Sequence, residues 1–147
     1  MALGTFMFDK VTCTMGGSRI AGFAKGTVIT VEAEEDDWIW ETGADGHTTR
    51  ILKPNKTAKI VFRLQQTSST NEVLSAKRIA DRKTGVGTGQ FLLKDLNGTT
   101  MVTCMNTFIQ KPTKIDMGDE VTPREWTIIG TDCEMYAGSN LTLPTIA

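Results

Sequence analysis

The sequence predicts a mainly β domain, a β-sandwich or partly rolled barrel, that carries one α-helix. Apolar and polar residues alternate with a period of two in most of the apolar segments, as they do in half-buried strands. Threonine, whose branched Cβ suits a pleated surface, is abundant. A single segment has helical spacing instead. Strands should therefore dominate the fold, with one helix packed on them.

Length and composition limit the class of protein. The 147 residues fit one domain over residues 1–147, and residues 138–147 read as a C-terminal tail. Hydrophobic residues make up 39% and charged residues 22%, which is unlike a disordered chain or a membrane protein. The net charge of −1 argues against a general nucleic-acid binder. We expect no secretory signal and no contact with a membrane.

The clearest alternation is in residues 28–34 and 57–64. The first segment turns its glutamates to the polar face, and the second turns Lys59 and Arg63 there. If the two strands pair, unlike charges lie opposite each other. Each such contact contributes about 0.2–1 kcal/mol, which is enough to favour a register.

Further strands follow from the same pattern, and Asn97-Gly98 predicts the tightest connection. Both residues of this dipeptide tolerate positive φ, so it favours a two-residue hairpin turn. The turn residues 43–46 separate two other strands. The additional predicted strands are residues 6–15, 38–41, 47–52, 89–96, 99–110 and 124–136.

The helical segment is predicted from about Thr70 to Lys83. Ser69 and Glu72 form a capping box at its start, and Gly85 offers a stop. An apolar side should face the sheet, and a basic side should lie largely opposite. The apolar residues are Val73, Leu74, Ala76, Ile79 and Ala80, and the basic ones are Lys77, Arg78, Arg82 and Lys83.

The chain lacks the residue sets that enzymes and cofactor sites need. His47 is the only histidine and follows a glycine turn, so neither a multi-histidine metal site nor a catalytic triad is expected. Residues 85–89 are rich in glycine but lie between a helix and a strand, the wrong order for a phosphate loop. We expect no catalytic residue, cofactor or metal. The three cysteines are far apart and should be buried reduced thiols, although one bridge stays open.

The acidic run at residues 32–37 and the adjoining Trp38-Ile39-Trp40 are less ordinary. The acidic run fits a solvated face, an interface with basic residues of another chain, or a metal site. Trp38 and Trp40 share one strand face and Ile39 takes the other. A neighbouring chain or the chain's own core could cover these aromatic rings.

Three stretches in the same order resemble one family, the tail tube proteins of contractile-tailed bacteriophages. They are Ile29 to Trp38, Thr42-Gly-Ala-Asp-Gly-His47, and Ala58 to Ser75, and Arg124-Glu-Trp-Thr127 fits as well. Gly43-x-Asp45-Gly46 and Thr67-Ser68-x-Thr70-Asn71-x-x-Leu74-Ser75 are the most specific motifs. Ser69 stands where many relatives have proline, and Ala58 where glycine is usual.

The resemblance implies a structural protein of the virion that is assembled in the host cytoplasm. Subunits of this family form hexameric rings that stack into a tube with a continuous inner β-barrel, through which DNA is ejected. The implied partners are other copies of the chain, the tail sheath protein, the tape measure protein and genomic DNA in the lumen, and the baseplate and tail terminator proteins.

The tube implies three sets of candidate residues. The lumen wall must not hold phosphates, so we expect it to be neutral or acidic, and Lys59 and Arg63 there would contradict the idea. Lumen-facing candidates are Thr30, Glu32 and Glu34. Candidates for contacts between rings or subunits are Asp36, Asp37, Trp38, Trp40, Asp45 and His47. Candidates for the outer, sheath-facing side are Lys77, Arg78 and Arg82.

Two other functions fit the sequence. One is a stand-alone β-sandwich that decorates a virion or binds a receptor, and the other is the tube component of a related contractile secretion system. A binding module should stay monomeric or form small closed oligomers, whereas a tube protein should form rings or filaments.

Overall fold

The computed structural model of the chain describes residues 3–142, and it is mainly β with one α-helix, as predicted. The elements are β1 (Leu3–Gly4), a 3-10 turn (Phe8–Lys10), β2 (Val11–Met15), β3 (Ser18–Arg19), β4 (Ile29–Ala33), β5 (Trp38–Thr42), β6 (Thr48–Leu52), β7 (Ala58–Leu64), α1 (Thr70–Thr84), β8 (Gly89–Asp95), β9 (Met101–Lys111), β10 (Arg124–Tyr136) and β11 (Leu141–Thr142). Seven strands form an antiparallel sheet in the order β3-β2-β8-β9-β10-β7-β4. β5 pairs with β6, and β1 pairs with β11.

The seven-stranded sheet curls strongly but does not close. Phe62 on β7 and Phe91 on β8 are three strands apart, so a flat sheet would separate them by about 14 Å. Their ring centroids are only 5.9 Å apart. The concave side of this roll therefore holds the core, in which Trp126, Phe62 and Phe91 are fully buried. Burial of each such side chain contributes about 1.5–3 kcal/mol.

The two alternating strands do pair, which is the condition for their unlike charges to lie opposite each other. β4 lies antiparallel to β7, and Glu32 is directly opposite Lys59. Thr30 is opposite Val61 in the same ladder. Directly paired residues project from the same face of a sheet, so the glutamate and the lysine are neighbours on the convex side.

The β8–β9 hairpin is also confirmed, but its turn is not the predicted two-residue type. Neither Asn97 nor Gly98 has positive φ. Instead, the Asp95 side chain accepts a hydrogen bond from the Asn97 backbone N–H at 2.9 Å, and the Asp95 carbonyl accepts one from Gly98. An aspartate at this position offers the backbone a local alternative to the tighter turn.

The helix covers the predicted residues, and Gly85 ends it in the left-handed conformation (φ 71°). The predicted capping box is wrong, because Ser69 is already helical and makes no side-chain cap. Ser68 takes that role, since its Oγ accepts a hydrogen bond from the Thr70 N–H at 3.2 Å. Asn71 then anchors the first turn.

The helix faces the sheet with a different side from the one predicted. Its buried residues are Thr70, Asn71 and Leu74, and the half-buried residues Lys77 and Arg78 continue that side. Ala76, Ile79 and Ala80 are exposed. The polar side of the helix faces the sheet because Asn71 fixes the rotation of the helix. The Asn71 Oδ1 accepts a hydrogen bond from Trp126 Nε1 at 2.9 Å. Its Nδ2 donates to the Gln65 carbonyl at 2.9 Å.

Two of the cysteines are joined, which corrects the expectation of three reduced thiols. Cys104 on β9 lies directly opposite Cys133 on β10, with Cα atoms 4.0 Å apart, and the pair forms a disulfide. Gly130 leaves room for it, since a Cβ there would lie 2.6 Å from the sulfur of Cys104. Cys13 is free and buried, as expected, and burial raises the pKa of its thiol to about 12.

The ends of the chain differ most from the prediction. Residues 6–15 contain a 3-10 turn before β2, where one strand was expected. Within the predicted tail, Leu141 and Thr142 pair with β1, and the rest of that tail beyond residue 142 lies outside the described residues. No helix in residues 3–142 is long and apolar enough to cross a bilayer.

We predict that Asn71→Ala lowers the free energy of unfolding by about 2–4 kcal/mol. The variant leaves the buried indole N–H of Trp126 without an acceptor and also frees the carbonyls that Asn71 caps. Glu72→Ala is the matched control and should change stability by less than about 0.5 kcal/mol, because Glu72 is exposed. Urea unfolding measures both; equal effects of the two variants would show that Asn71 does not anchor the helix.

We predict that the denatured chain exposes one thiol without reductant and three with it. Only Cys13 is free, and the pair on β9 and β10 reacts only after reduction. Mass spectrometry after alkylation counts the thiols, and Cys13→Ser should lower each count by one. Three alkylated cysteines without reductant would contradict the disulfide.

Candidate assembly surfaces

β5 and β6 form a two-stranded arm, residues 38–52, that belongs to neither of the other sheets. All ten residues of these two strands are exposed. The acidic residues 34–37 connect the arm to the end of β4. An isolated two-stranded hairpin is at best marginally stable in water. The arm thus lacks the packed face that a hairpin normally needs.

The tip of the arm is built by Asp45 and His47. The Asp45 carboxylate accepts a hydrogen bond from the His47 backbone N–H at 3.1 Å. The His47 carbonyl accepts one from the Gly43 N–H at 2.8 Å. Gly46 supplies the positive φ of 84° that the turn needs. These contacts explain the Gly43-x-Asp45-Gly46 motif as turn chemistry.

Apolar side chains are exposed on both faces of the arm. Trp38 and Trp40 share one face with Leu52, whereas Ile39 and Ile51 share the other. Trp40 is 74% exposed and Leu52 60%. The Arg50 guanidinium lies 4.0 Å from the centre of the Trp38 ring, so a cation–π contact partly covers that ring. The sequence left open whether a neighbouring chain or the chain's own core covers these tryptophans. The structure excludes the core.

The acidic candidates lie at the root of the arm. Glu34, Asp36 and Asp37 are exposed. The root is held by the backbone, since Glu34 N–H donates to the Thr57 carbonyl and Lys53 N–H donates to the Asp37 carbonyl. In residues 3–142, no group of three or more His, Cys, Asp or Glu is placed to hold a metal ion.

The convex face of the sheet carries the lumen candidates, but it is not purely acidic. Thr30 and Glu32 are exposed there, and the pairing places Lys59 beside Glu32. Arg63 lies on the same face, four residues further along β7. Any pore lined by this face contains both cations as well as the glutamates. A lumen without Lys59 and Arg63 and a lumen lined by this face therefore exclude each other.

β4 is an edge strand of the seven-stranded sheet, with β7 on one side and no described strand on the other. Its free backbone groups are a template for another strand. The opposite edge, β3, is only two residues long. The alternation of apolar and polar residues predicted β4 but did not indicate that this strand lies at the edge of the sheet.

The basic candidates on the helix differ in their exposure. Arg82 is exposed, near the C-terminal end of α1. Lys77 and Arg78 are half-buried on the side that faces the sheet, and Lys77 Nζ lies 3.5 Å from the Gly16 carbonyl oxygen. The expected outward basic side is thus reduced mainly to Arg82 and Lys83.

Two features were not predicted from the sequence. Lys56 and Glu134 form an exposed ion pair, and the hydrogen bond to Glu134 and its charge raise the pKa of Lys56. An apolar groove also opens where the free edge of β4 approaches β2 and β8. Both depend on strand neighbours that are distant in sequence.

No protein-family model matches the chain. It is similar to the structural protein ORF10 of Pseudomonas phage KPP10, with 28% identity over 123 residues, covering 82% of this chain and 71% of the relative. The chain is therefore a homologue of a phage structural protein.

Two solved structures align over nearly the whole chain. The cap that terminates the tube of the anti-feeding prophage has a TM-score of 0.57 and 9% identity, over 92% of this chain and 93% of that one. The sheath/tube terminator of the extracellular contractile injection system PVC has a TM-score of 0.49 and 11% identity, over 90% and 97%. The first alignment establishes that the chain shares the fold of the cap.

We predict that replacing Trp38 and Trp40 together by alanine leaves the monomer folded but stops assembly. Both side chains are exposed and outside the core, so the free energy of unfolding should change by less than about 0.5 kcal/mol. Thermal unfolding and electron microscopy measure the two effects. Val86→Ala, which removes a 73% exposed side chain beyond the helix, should assemble normally. Unimpaired assembly of the double variant would refute the role of the arm.

Proposed function

We propose that the chain is the subunit of a phage tail tube, in which hexameric rings stack into a conduit for DNA ejection. The single observation that carries this proposal is the arm, whose five large apolar residues are 41–74% exposed and pack against no other sheet of the chain. An uncovered apolar patch of this kind marks a protein interface. The phage relative supports a virion location, and the arm supports contact between copies or rings.

Ring closure gives the free edge of β4 a partner. A heterologous contact that repeats around a six-fold axis closes on itself, which converts an aggregation hazard into a specified interface. If each subunit contributes about four strands with a spacing of ~4.8 Å and a tilt of ~45°, the backbone cylinder is about 50 Å across. That leaves roughly 40 Å inside, enough for duplex DNA.

The charge-balanced convex face suits such a lumen. Glu32 lies directly opposite Lys59 in the ladder, so the glutamate lowers the positive potential that the lysine offers to phosphates. Neutralisation of phosphates by free cations would instead produce tight, salt-sensitive binding. We keep Thr30, Glu32 and Glu34 as lumen candidates and give up the expectation that the lumen lacks Lys59 and Arg63, which share their face.

The remaining partners follow from the position of a tube in a tail. Arg82 is our candidate for contact with the tail sheath protein. The tape measure protein and genomic DNA would occupy the lumen, and the baseplate and tail terminator proteins would meet the two ends of the tube. This role is structural, and it involves neither catalysis nor a cofactor.

A second candidate is the ring that terminates a tube. The fold shared with the anti-feeding prophage cap favours this alternative. A tube subunit needs two complementary ring faces and forms filaments of indefinite length, whereas a terminator adds one ring and stops. A decoration or binding module would form neither, and a tube of a contractile secretion system would behave like the phage tube.

We predict that the purified chain forms filaments with a central channel as its concentration is raised. Heterologous contacts that do not close along the axis propagate, so filament length should grow with concentration. Negative-stain electron microscopy is the measurement, and the Trp38/Trp40 double alanine variant is the control. Single rings at every concentration would support the terminator instead, and a persistent monomer would contradict both.

A further inference from the structure

We propose that the apolar groove beside the free edge of β4 is the receptor for the arm of a second copy of this chain. The inference rests on the proposed function and deepens it, because it identifies the surface that the arm contacts. The arm then links one subunit to the next in a head-to-tail manner.

The groove is the open seam of the curled sheet. Val28 and Ile29 line one side, and Val11 and Leu93 line the other, where β2 and β8 curl toward β4. Phe6 and Phe8 of the N-terminal segment complete it, and they are 61% and 44% exposed. The groove has a volume of about 330 Å³, enough for large side chains such as those of the arm. Its lining is mostly apolar, so water in it is readily displaced.

The arm of the same copy does not occupy this groove. The groove adjoins the start of β4, at Val28 and Ile29, whereas the arm is attached beyond the opposite end, at Ala33. A five-residue strand separates the two positions by roughly 15 Å. An exposed apolar donor at one end and an apolar acceptor at the other give a heterologous contact that copies of one chain can repeat.

The charges of the two surfaces are complementary. Residues 34–53, the arm with its root, contain six carboxylates against one arginine and one lysine. Lys10 and Lys25, both exposed, adjoin the groove residues Val11 and Gly26 in sequence, and the exposed Asp9 adjoins Phe8. Asp95, the carboxylate that lines the groove, is buried and already accepts hydrogen bonds from Asn97 and Asn140. Opposite charges at the rim favour this docking over a contact between two arms, which would place like charges together.

The test is a chemical cross-link between two differently substituted copies. Leu52→Cys and Phe6→Cys chains are mixed in equal amounts, allowed to assemble, and treated with a short bismaleimide. Both positions are exposed, so each variant should fold, and the native cysteines are buried. The matched control mixes Leu52→Cys with Val86→Cys, since Val86 is 73% exposed and does not line the groove.

We expect at least ten times more cross-linked dimer from the Leu52/Phe6 mixture than from the control mixture. Rings or filaments in the micrographs with equal dimer yields in the two mixtures would overturn the groove as the receptor while leaving the proposed function intact. No assembly at any concentration, and no dimer, would overturn both.

A substitution in the groove provides a second measurement. Phe6→Asp should raise the concentration needed for assembly at least tenfold without changing the melting temperature, and Phe6→Leu should assemble nearly as the parent chain does. Equal assembly of the aspartate and leucine variants would overturn the inference.

Discussion

The structure depends on one constraint: a two-stranded hairpin with no packed face has too little buried apolar surface to be stable alone. In this chain the ten strand residues of the arm are all exposed, although they include two tryptophans and two isoleucines. Burial of a large apolar side chain contributes about 1.5–3 kcal/mol, so covering the arm is a substantial driving force. We propose that a neighbouring molecule covers the arm and also pairs with the free edge of β4.

The sequence predicted the features that depend on local pattern. Alternation identified β4, β7 and β10, and helical spacing identified α1 with its stop at Gly85. It could not fix which side of α1 is buried, because the rotation is set by Asn71 and its contact with Trp126, 55 residues away. The disulfide could not be predicted from the sequence either, because only the β9–β10 register places Cys104 opposite Cys133.

The candidate residues, too, could be predicted where they depend on local pattern and not where they depend on strand pairing. For Trp38 and Trp40, the sequence left open whether a neighbouring chain or the core covers the rings, and the structure excludes the core. The lumen candidates were chosen by charge on one strand, and pairing then brought Lys59 beside Glu32. The groove could not be predicted from the sequence, because its lining comes from four separate segments that meet only when the sheet curls.

Hydrogen exchange tests most directly whether the arm needs a neighbour. In the dilute monomer, we expect the amides of residues 38–52 to exchange far faster than those of β9 and β10, because local opening there costs little. In the assembled state, the same amides should become strongly protected. Full protection of the arm in the monomer, or no gain in protection on assembly, would contradict the account.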